Sequence, residues 1–114
     1  MSASKGQVIL CGEPTQDHCN PQGTVHGGYL ATMLDSAMAL AVQTGLPTLT
    51  RFSTTNLNIC YFHSVPADGL ILHAHGLVVH AGKTIHAAEA KITDTEGKIY
   101  AKSQATFSVK LLSI

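Results

Sequence analysis

The stretch that most constrains this chain is Gly27 to Thr44, "GGYLATMLDSAMALAVQT", an apolar helical pattern with one formal charge, Asp35. Gly45 and Pro47 stop it, because glycine suits the C-cap region and proline soon after prevents continuation. At about 100° per residue, Leu30, Leu34, Ala37, Met38 and Ala41 share one face, which should pack on a sheet. The remaining faces are hardly more polar. Such a helix has to be covered by protein on most sides. Asp35 lies off the main face, in a column with Gly28, Ala31, Ala39 and Val42. None of those neighbours is polar and most are small, so a second backbone or a narrow ligand can come close to the carboxylate.

Two plain readings of Asp35 compete with a functional one. It could be a solvated surface residue, or a buried aspartate capping a neighbouring segment. The lack of other charges in the helix argues against the first, since a solvated face usually carries several. A lone carboxylate among apolar side chains is also a recurrent feature of functional sites.

The rest of the chain supplies the cover. Gln7 to Cys11 reads as a short first strand, and Gly12 to Val25, with Pro14, Pro21 and Gly23, as a loop. After Pro47 the pattern is strand throughout. "TLTRFSTTNLNICYFH" puts Leu57, Ile59 and Tyr61 on one face. "LILHAHGLVVH" and "KTIHAAEAKIT" flank a tight turn at Ala81-Gly82. "DTEG" closes the next hairpin, with Gly97 available for a positive φ. In "KIYAKSQATFSVK", Ile99, Ala101, Ala105, Phe107 and Val109 point one way, and Lys98, Tyr100, Lys102, Gln104 and Lys110 the other. One helix on one antiparallel sheet is an α+β layout. A single sheet face cannot enclose this helix, so a second copy of the chain is the economical cover.

The 114 residues suit one domain, 1–114. Formal charge is zero with histidines neutral, which removes the main argument for nucleic acid or an anionic membrane as partner. Only 12% of residues are charged, which leaves a lone monomer poorly protected against association. No apolar run is long enough to span a bilayer, and no signal-peptide pattern opens the chain. Cys11, Cys19 and Cys60 are odd in number and irregularly spaced, as expected of free thiols in a cytoplasmic protein. Cys60 falls inside a strand pattern and is expected in the core.

The start of the helix has chemistry of its own. His26-Gly27-Gly28 puts two residues without a Cβ at the first turn. Their N–H groups lack intrahelical partners and sit at the positive end of the helix dipole. They suit an anion or a developing oxyanion. A helix start that merely needs close backbone packing would look the same.

"NPQGTVHGG" followed by Asp35 resembles the hotdog-fold acyl-CoA thioesterases of the PaaI type, the phenylacetic acid degradation family. "STTNLNICYF", "VHAGKT" and "TDTEGKIYAKSQATFSV" resemble its following strand, later hairpin and closing hairpin. His63-Ser64 stands where the family often has Arg-Pro, and an extra N-terminal helix of the family is missing or shortened. The resemblance implies a long central helix wrapped by a curved antiparallel β-sheet. It implies homodimers with a continuous sheet, often paired as dimers of dimers into a homotetramer. The eight residues from Gly27 to Asp35, about 12 Å of helix, add the expectation that the two chains share their active sites. The implied reaction is hydrolysis of an acyl-CoA thioester to free acid and coenzyme A, and the narrow, apolar surroundings of Asp35 allow an aryl or medium acyl chain. Gly27 would give the oxyanion N–H, and Asp35 would be general base or nucleophile. Asn20 and His26 would orient the thioester or water and hold the loop. Thr54, with Ser53 beside it, falls where a hydroxyl positions water or the aspartate. Gly28 would lie beside the substrate, and His80, Gly82 and Lys83 would touch the coenzyme arm. No metal and no cofactor is implied, coenzyme A being part of the substrate.

Two other readings of the same fold stay open. One is a non-catalytic acyl-CoA-binding or regulatory hotdog protein, the other a hydratase or dehydratase. Seven histidines invite a zinc reading. His73 and His75 can share one strand face, but nothing in the sequence fixes a third ligand near them, and the histidines are counted mostly as sheet-surface residues. Ser-His-Asp catalysis lacks its Gly-x-Ser-x-Gly turn.

Overall fold

The computed structural model describes residues 1–47 and 50–111. It contains β1 (Ser2–Ser4), β2 (Gln7–Gly12), α1 (Gly27–Gln43), β3 (Thr50–Tyr61), β4 (Leu72–Ala81), β5 (Ile85–Thr93) and β6 (Ile99–Leu111). The strands form one antiparallel sheet in the order β1-β2-β4-β5-β6-β3. The α+β layout expected from the sequence is therefore the one observed. Thr48 and Leu49, the first residues of the expected second strand, lie outside the described residues.

The helix packs on the sheet as its periodicity requires. Leu30, Leu34, Ala37, Met38 and Ala41 are all buried, joined by Met33 and Val42. All of these but Ala41 join one core cluster with Leu72, Ala74, Ala88, Ala90, Ile92, Ala101, Ala105 and Phe107 from the sheet. The facing residues of β4 to β6 are mostly small. That brings the helix close to the sheet, and at Gly76 there is no room for a side chain. A Cβ there would run into the backbone carbonyl of Ala37. Gly76 marks the closest approach of strand and helix, a role its place in "HAHGLVVH" gave no reason to expect.

Four local features depart from the sequence reading. β1 was not expected; it pairs with β2 through a turn in which Gly6 adopts a positive φ of 81°. The loop before the helix contains a single 3-10 turn, Gln16–His18. Cys60 is exposed and not in the core, because it pairs with Lys102 on the side of the sheet away from the helix. Tyr100, placed on the polar face of its strand, is buried at 4% exposure, whereas Ile99 is half-buried. The cause is a register shift between Ile92 and Thr93, opposite the start of β6. The buried Tyr100 hydroxyl finds a partner in Asp94 Oδ2 at 3.1 Å. Among the histidines, His86 is also buried, on the helix side of β5.

β3 is an edge strand. Its one strand partner among the described residues is β6, and its other edge is unpaired. Leu57 and Tyr61 on β3, and Phe62 just after it, are 39%, 49% and 52% exposed.

Candidate active site

The loop before the helix is held by its own polar groups. Asn20 Oδ1 accepts from the backbone N–H of Gln22 and Thr24 at 3.1 and 3.2 Å. Asn20 Nδ2 donates to Thr24 Oγ1 at 3.0 Å. Gly23 completes this turn with a φ of 85°. The loop is fastened to the body by Val25 N–H donating to the Val65 carbonyl at 2.9 Å. Asn20 thus acts within the loop and fixes where the chain enters the helix.

His26 is the N-cap. Its Nδ1 accepts from the Gly28 N–H at 2.8 Å. Of the two glycine N–H groups at the helix start, that of Gly28 is therefore already engaged. The Gly27 N–H meets no acceptor among the described residues. This is the donor left at the positive end of the helix.

Asp35, half-buried in mid-helix, is held from the sheet. Thr54 Oγ1 donates to Asp35 Oδ1 at 2.9 Å. A bulge in β3 arranges this. Thr54 pairs with Phe107 and Asn56 with Thr106, so Thr55 is an extra residue. Its hydroxyl is tied to the Thr106 carbonyl at 3.2 Å and lies 3.0 Å from the Thr106 hydroxyl. The bulge leaves Thr54 facing the helix while the rest of the strand keeps its alternation. Ser53 is exposed and pairs with Ser108.

His80, Gly82 and Lys83 lie at the β4–β5 hairpin. The His80 ring rests against Gly82, where a Cβ would be 3.0 Å from Nε2, and Lys83 is exposed. The hairpin is at the Thr54 end of the sheet, since Ser108 pairs with both Ser53 and Ile85. Gly27 is at the opposite end, beside Tyr61, which pairs with Ala101. One chain thus brings Asp35 together with Thr54, and Gly27 together with His26, but keeps the two groups apart along the helix. Eight residues separate them, about 12 Å at 1.5 Å per residue.

Tyr61 was not singled out in the sequence. Its hydroxyl donates to the Gly27 carbonyl at 2.8 Å, and a Cβ at residue 27 would meet its ring at 3.4 Å. The strand alternation that grouped Tyr61 with Leu57 and Ile59 on one face was the available signal. Among the described residues no three His, Cys, Asp or Glu side chains converge as metal ligands, and the His73 and His75 rings are 6.3 Å apart. Burial, helped by Lys91 and His73, lowers the His75 pKa. No described helix is long and apolar enough to cross a membrane.

Comparison with known proteins bears on the family and the fold. The sequence pattern of the Thioesterase superfamily covers residues 22–101. A Halobacterium salinarum protein with a provisional esterase name is 37% identical over 95 residues, 79% of this chain, and the chain spans 61% of that protein. Human acyl-coenzyme A thioesterase 13 is 29% identical over 111 residues, 93% of this chain and 75% of the human protein. Among solved structures, a variant of phenylacetic acid degradation protein PaaI from Thermus thermophilus superposes with a TM-score of 0.86 at 28% identity, covering 95% of this chain and 89% of that one. With one long helix on a six-stranded antiparallel sheet, a free N–H at the helix start and a hydroxyl-held aspartate in mid-helix, the chain belongs to the hotdog-fold thioesterase superfamily, whose members among its relatives include acyl-CoA thioesterases.

Proposed function

We propose that this protein hydrolyses acyl-CoA thioesters with aryl or medium-length acyl groups. The observation that carries the reading is the Asp35–Thr54 pair at 2.9 Å on the same helix that begins with the free Gly27 N–H. Thioester hydrolysis needs those two functions. Attack on the carbonyl carbon turns its oxygen into an oxyanion, which an oriented N–H stabilises. A carboxylate either takes a proton from the attacking water or attacks directly. When water attacks, the C–S bond then breaks, coenzyme A leaves as its thiol with the proton taken from that water, and the acid is released at once. When Asp35 attacks, C–S cleavage leaves an acyl–aspartyl anhydride and a thiolate that takes a proton from solvent. A second water then hydrolyses the anhydride to free the acid and Asp35. In this reading Gly27 serves the oxyanion, Asp35 the attack, and Thr54 holds Asp35 or its water. Asn20 and His26 keep the loop and helix start in place. Gly28, Ser53, His80, Gly82 and Lys83 line the substrate and its coenzyme arm. The chemistry uses no metal or cofactor.

Likeness to a phenylacetic acid degradation protein supports the aryl class, as do the small residues Gly28 and Ala31 beside Asp35. The working unit we propose is a homodimer, joined into a dimer of dimers. The unpaired β3 edge, with Leu57, Tyr61 and Phe62 exposed, supports the dimer, because such an edge is otherwise an open template for pairing. Free Cys11, Cys19 and Cys60 support a cytoplasmic setting.

The test is a panel of acetyl-, hexanoyl-, benzoyl- and phenylacetyl-CoA with thiol release followed directly. Release above the uncatalysed rate, strongest for an aryl or medium chain, is expected. Binding of the same compounds without release would instead identify a non-catalytic acyl-CoA-binding protein.

A further inference from the structure

The peptide unit between Gly27 and Gly28 is held at both of its polar atoms by side chains. Tyr61 Oη donates to the Gly27 carbonyl at 2.8 Å, and His26 Nδ1 accepts the Gly28 N–H at 2.8 Å. The two side chains come from different elements, one from the end of β3 and one from the residue just before the helix. We infer that Tyr61 is a positioning residue for the Gly27 N–H, working with His26 as a clamp on the peptide plane that follows it. The inference rests on the reading that this N–H receives the thioester oxygen.

The physical need is plain. Gly27 is the first helical residue, with no Cβ to restrict it and no intrahelical bond to its N–H. Left alone, its dihedrals would fluctuate and the N–H would wander. An oxyanion donor is useful in proportion to how well it is aimed before the charge develops. The clamp fixes the far side of Gly27 while leaving its N–H free. The Tyr61 ring adds to this, for a Cβ at residue 27 would lie 3.4 Å from it, in van der Waals contact. In the single chain the tyrosine is 49% exposed, so burial in the core does not demand this hydrogen bond, and the dimer edge proposed above would need its ring and not its hydroxyl. Its contact with the helix start is specific, and a phenylalanine could not supply the hydrogen bond.

The experiment compares wild type with Tyr61→Phe in two independent measurements. Amide hydrogen exchange reads the clamp without any reaction. The Gly28 amide should exchange faster in Tyr61→Phe, with amides in the middle of the helix unchanged. Steady-state kinetics reads the consequence. The kcat for the best substrate of the panel should fall about tenfold, less than the roughly hundredfold or greater loss from deleting an oxyanion donor outright. KM should stay within twofold, since the oxyanion exists only in the transition state. A merely structural role would lower the melting temperature and leave kcat per folded molecule unchanged. Unchanged Gly28 exchange overturns the clamp. Faster exchange with unchanged kcat, or a loss confined to KM, overturns its part in catalysis. A wild-type protein inert toward the whole panel overturns the thioesterase reading and is told apart by the exchange result, which tests the positioning by itself.

Discussion

Thr54 Oγ1 donates a hydrogen bond to Asp35 Oδ1 at 2.9 Å, tying an edge strand to the middle of the central helix. The contact uses one carboxylate oxygen and fixes the rotamer of the acid. It also depends on the bulge at Thr55, which sets the facing of Thr54.

The two residues should differ in how much they cost when replaced. Asp35→Asn keeps the shape and the hydrogen-bond acceptor but is a poor base and nucleophile. Its kcat should fall by about 10²–10⁴, the usual contribution of a positioned general base. Thr54→Val keeps the volume and loses only the donor, so a loss near tenfold is expected, in line with a hydrogen bond to a charged group. Circular dichroism should show both proteins folded. Substantial turnover by pure Asp35→Asn would take the carboxylate out of the mechanism.

Packing yields a separate prediction at Gly76. A methyl group there meets the Ala37 carbonyl, which is helix backbone and cannot swing aside. Gly76→Ala should lower stability by about 1–3 kcal/mol, the usual cost of overpacking. The same change at Gly97, where no atom lies within 4 Å of the added Cβ, is opposed only by its φ of 87°. Urea unfolding of the two variants would rank them. A Gly76→Ala protein as stable as wild type would mean that helix and sheet part easily.

The sequence made these elements legible wherever side chains repeat with a period. The buried helix face, Leu30 to Ala41, followed from 100° steps, and Ala101, Ala105, Phe107 and Val109 from strand alternation. What it hid were breaks in period. The shift at Ile92/Thr93 turned Tyr100 inward, and the bulge at Thr55 set Thr54 on Asp35. A bulge adds one residue and leaves no mark on composition. Tyr61 was hidden for a different reason. Its partner is a backbone carbonyl far along the chain, and backbone acceptors have no letter in a sequence.

Asp94 gives a prediction in pH. Partial burial works to raise its pKa, but the Lys98 and Glu96 backbone N–H groups, the Tyr100 hydroxyl and the Lys98 ammonium outweigh it, and the net pKa is lowered. A carboxyl lowered by folding stabilises the fold above its unfolded pKa and loses that contribution as pH falls through its folded pKa. Asp94→Asn should therefore be less stable than wild type at neutral pH. The gap in urea midpoint should close as the solution becomes strongly acidic. A gap independent of pH would assign the effect to hydrogen bonding alone, with no part for the charge.

The separation of Gly27 from Asp35 leads to the last prediction. About 12 Å of helix lies between them, and an aspartate side chain cannot cross it to a carbonyl held at Gly27. Each sits beside a different part of β3, Gly27 against Tyr61 and Asp35 against Thr54. If two copies pair antiparallel along the free β3 edges about Leu57 and Asn58, Thr54 falls opposite the partner's Tyr61. Each Asp35 is then carried toward the partner's Gly27, and two equivalent sites arise from one two-fold axis. The lone charge in the helix would stand at mid-length because the partner's helix begins there. Mixing tests this. Gly27→Pro removes the N–H at the first helical position, where proline is tolerated, and the preceding His26 already has the extended backbone that proline demands, φ −61° and ψ 136°. Asp35→Asn removes the carboxylate. Either protein alone should be nearly inactive. Unfolded and refolded together in equal amounts, about half of randomly paired dimers contain one of each, and each of these has one intact site. Activity should return to roughly a quarter of wild type. If mixed dimers form, Gly27→Pro folds and no activity returns, both groups act within one chain and the shared site is wrong.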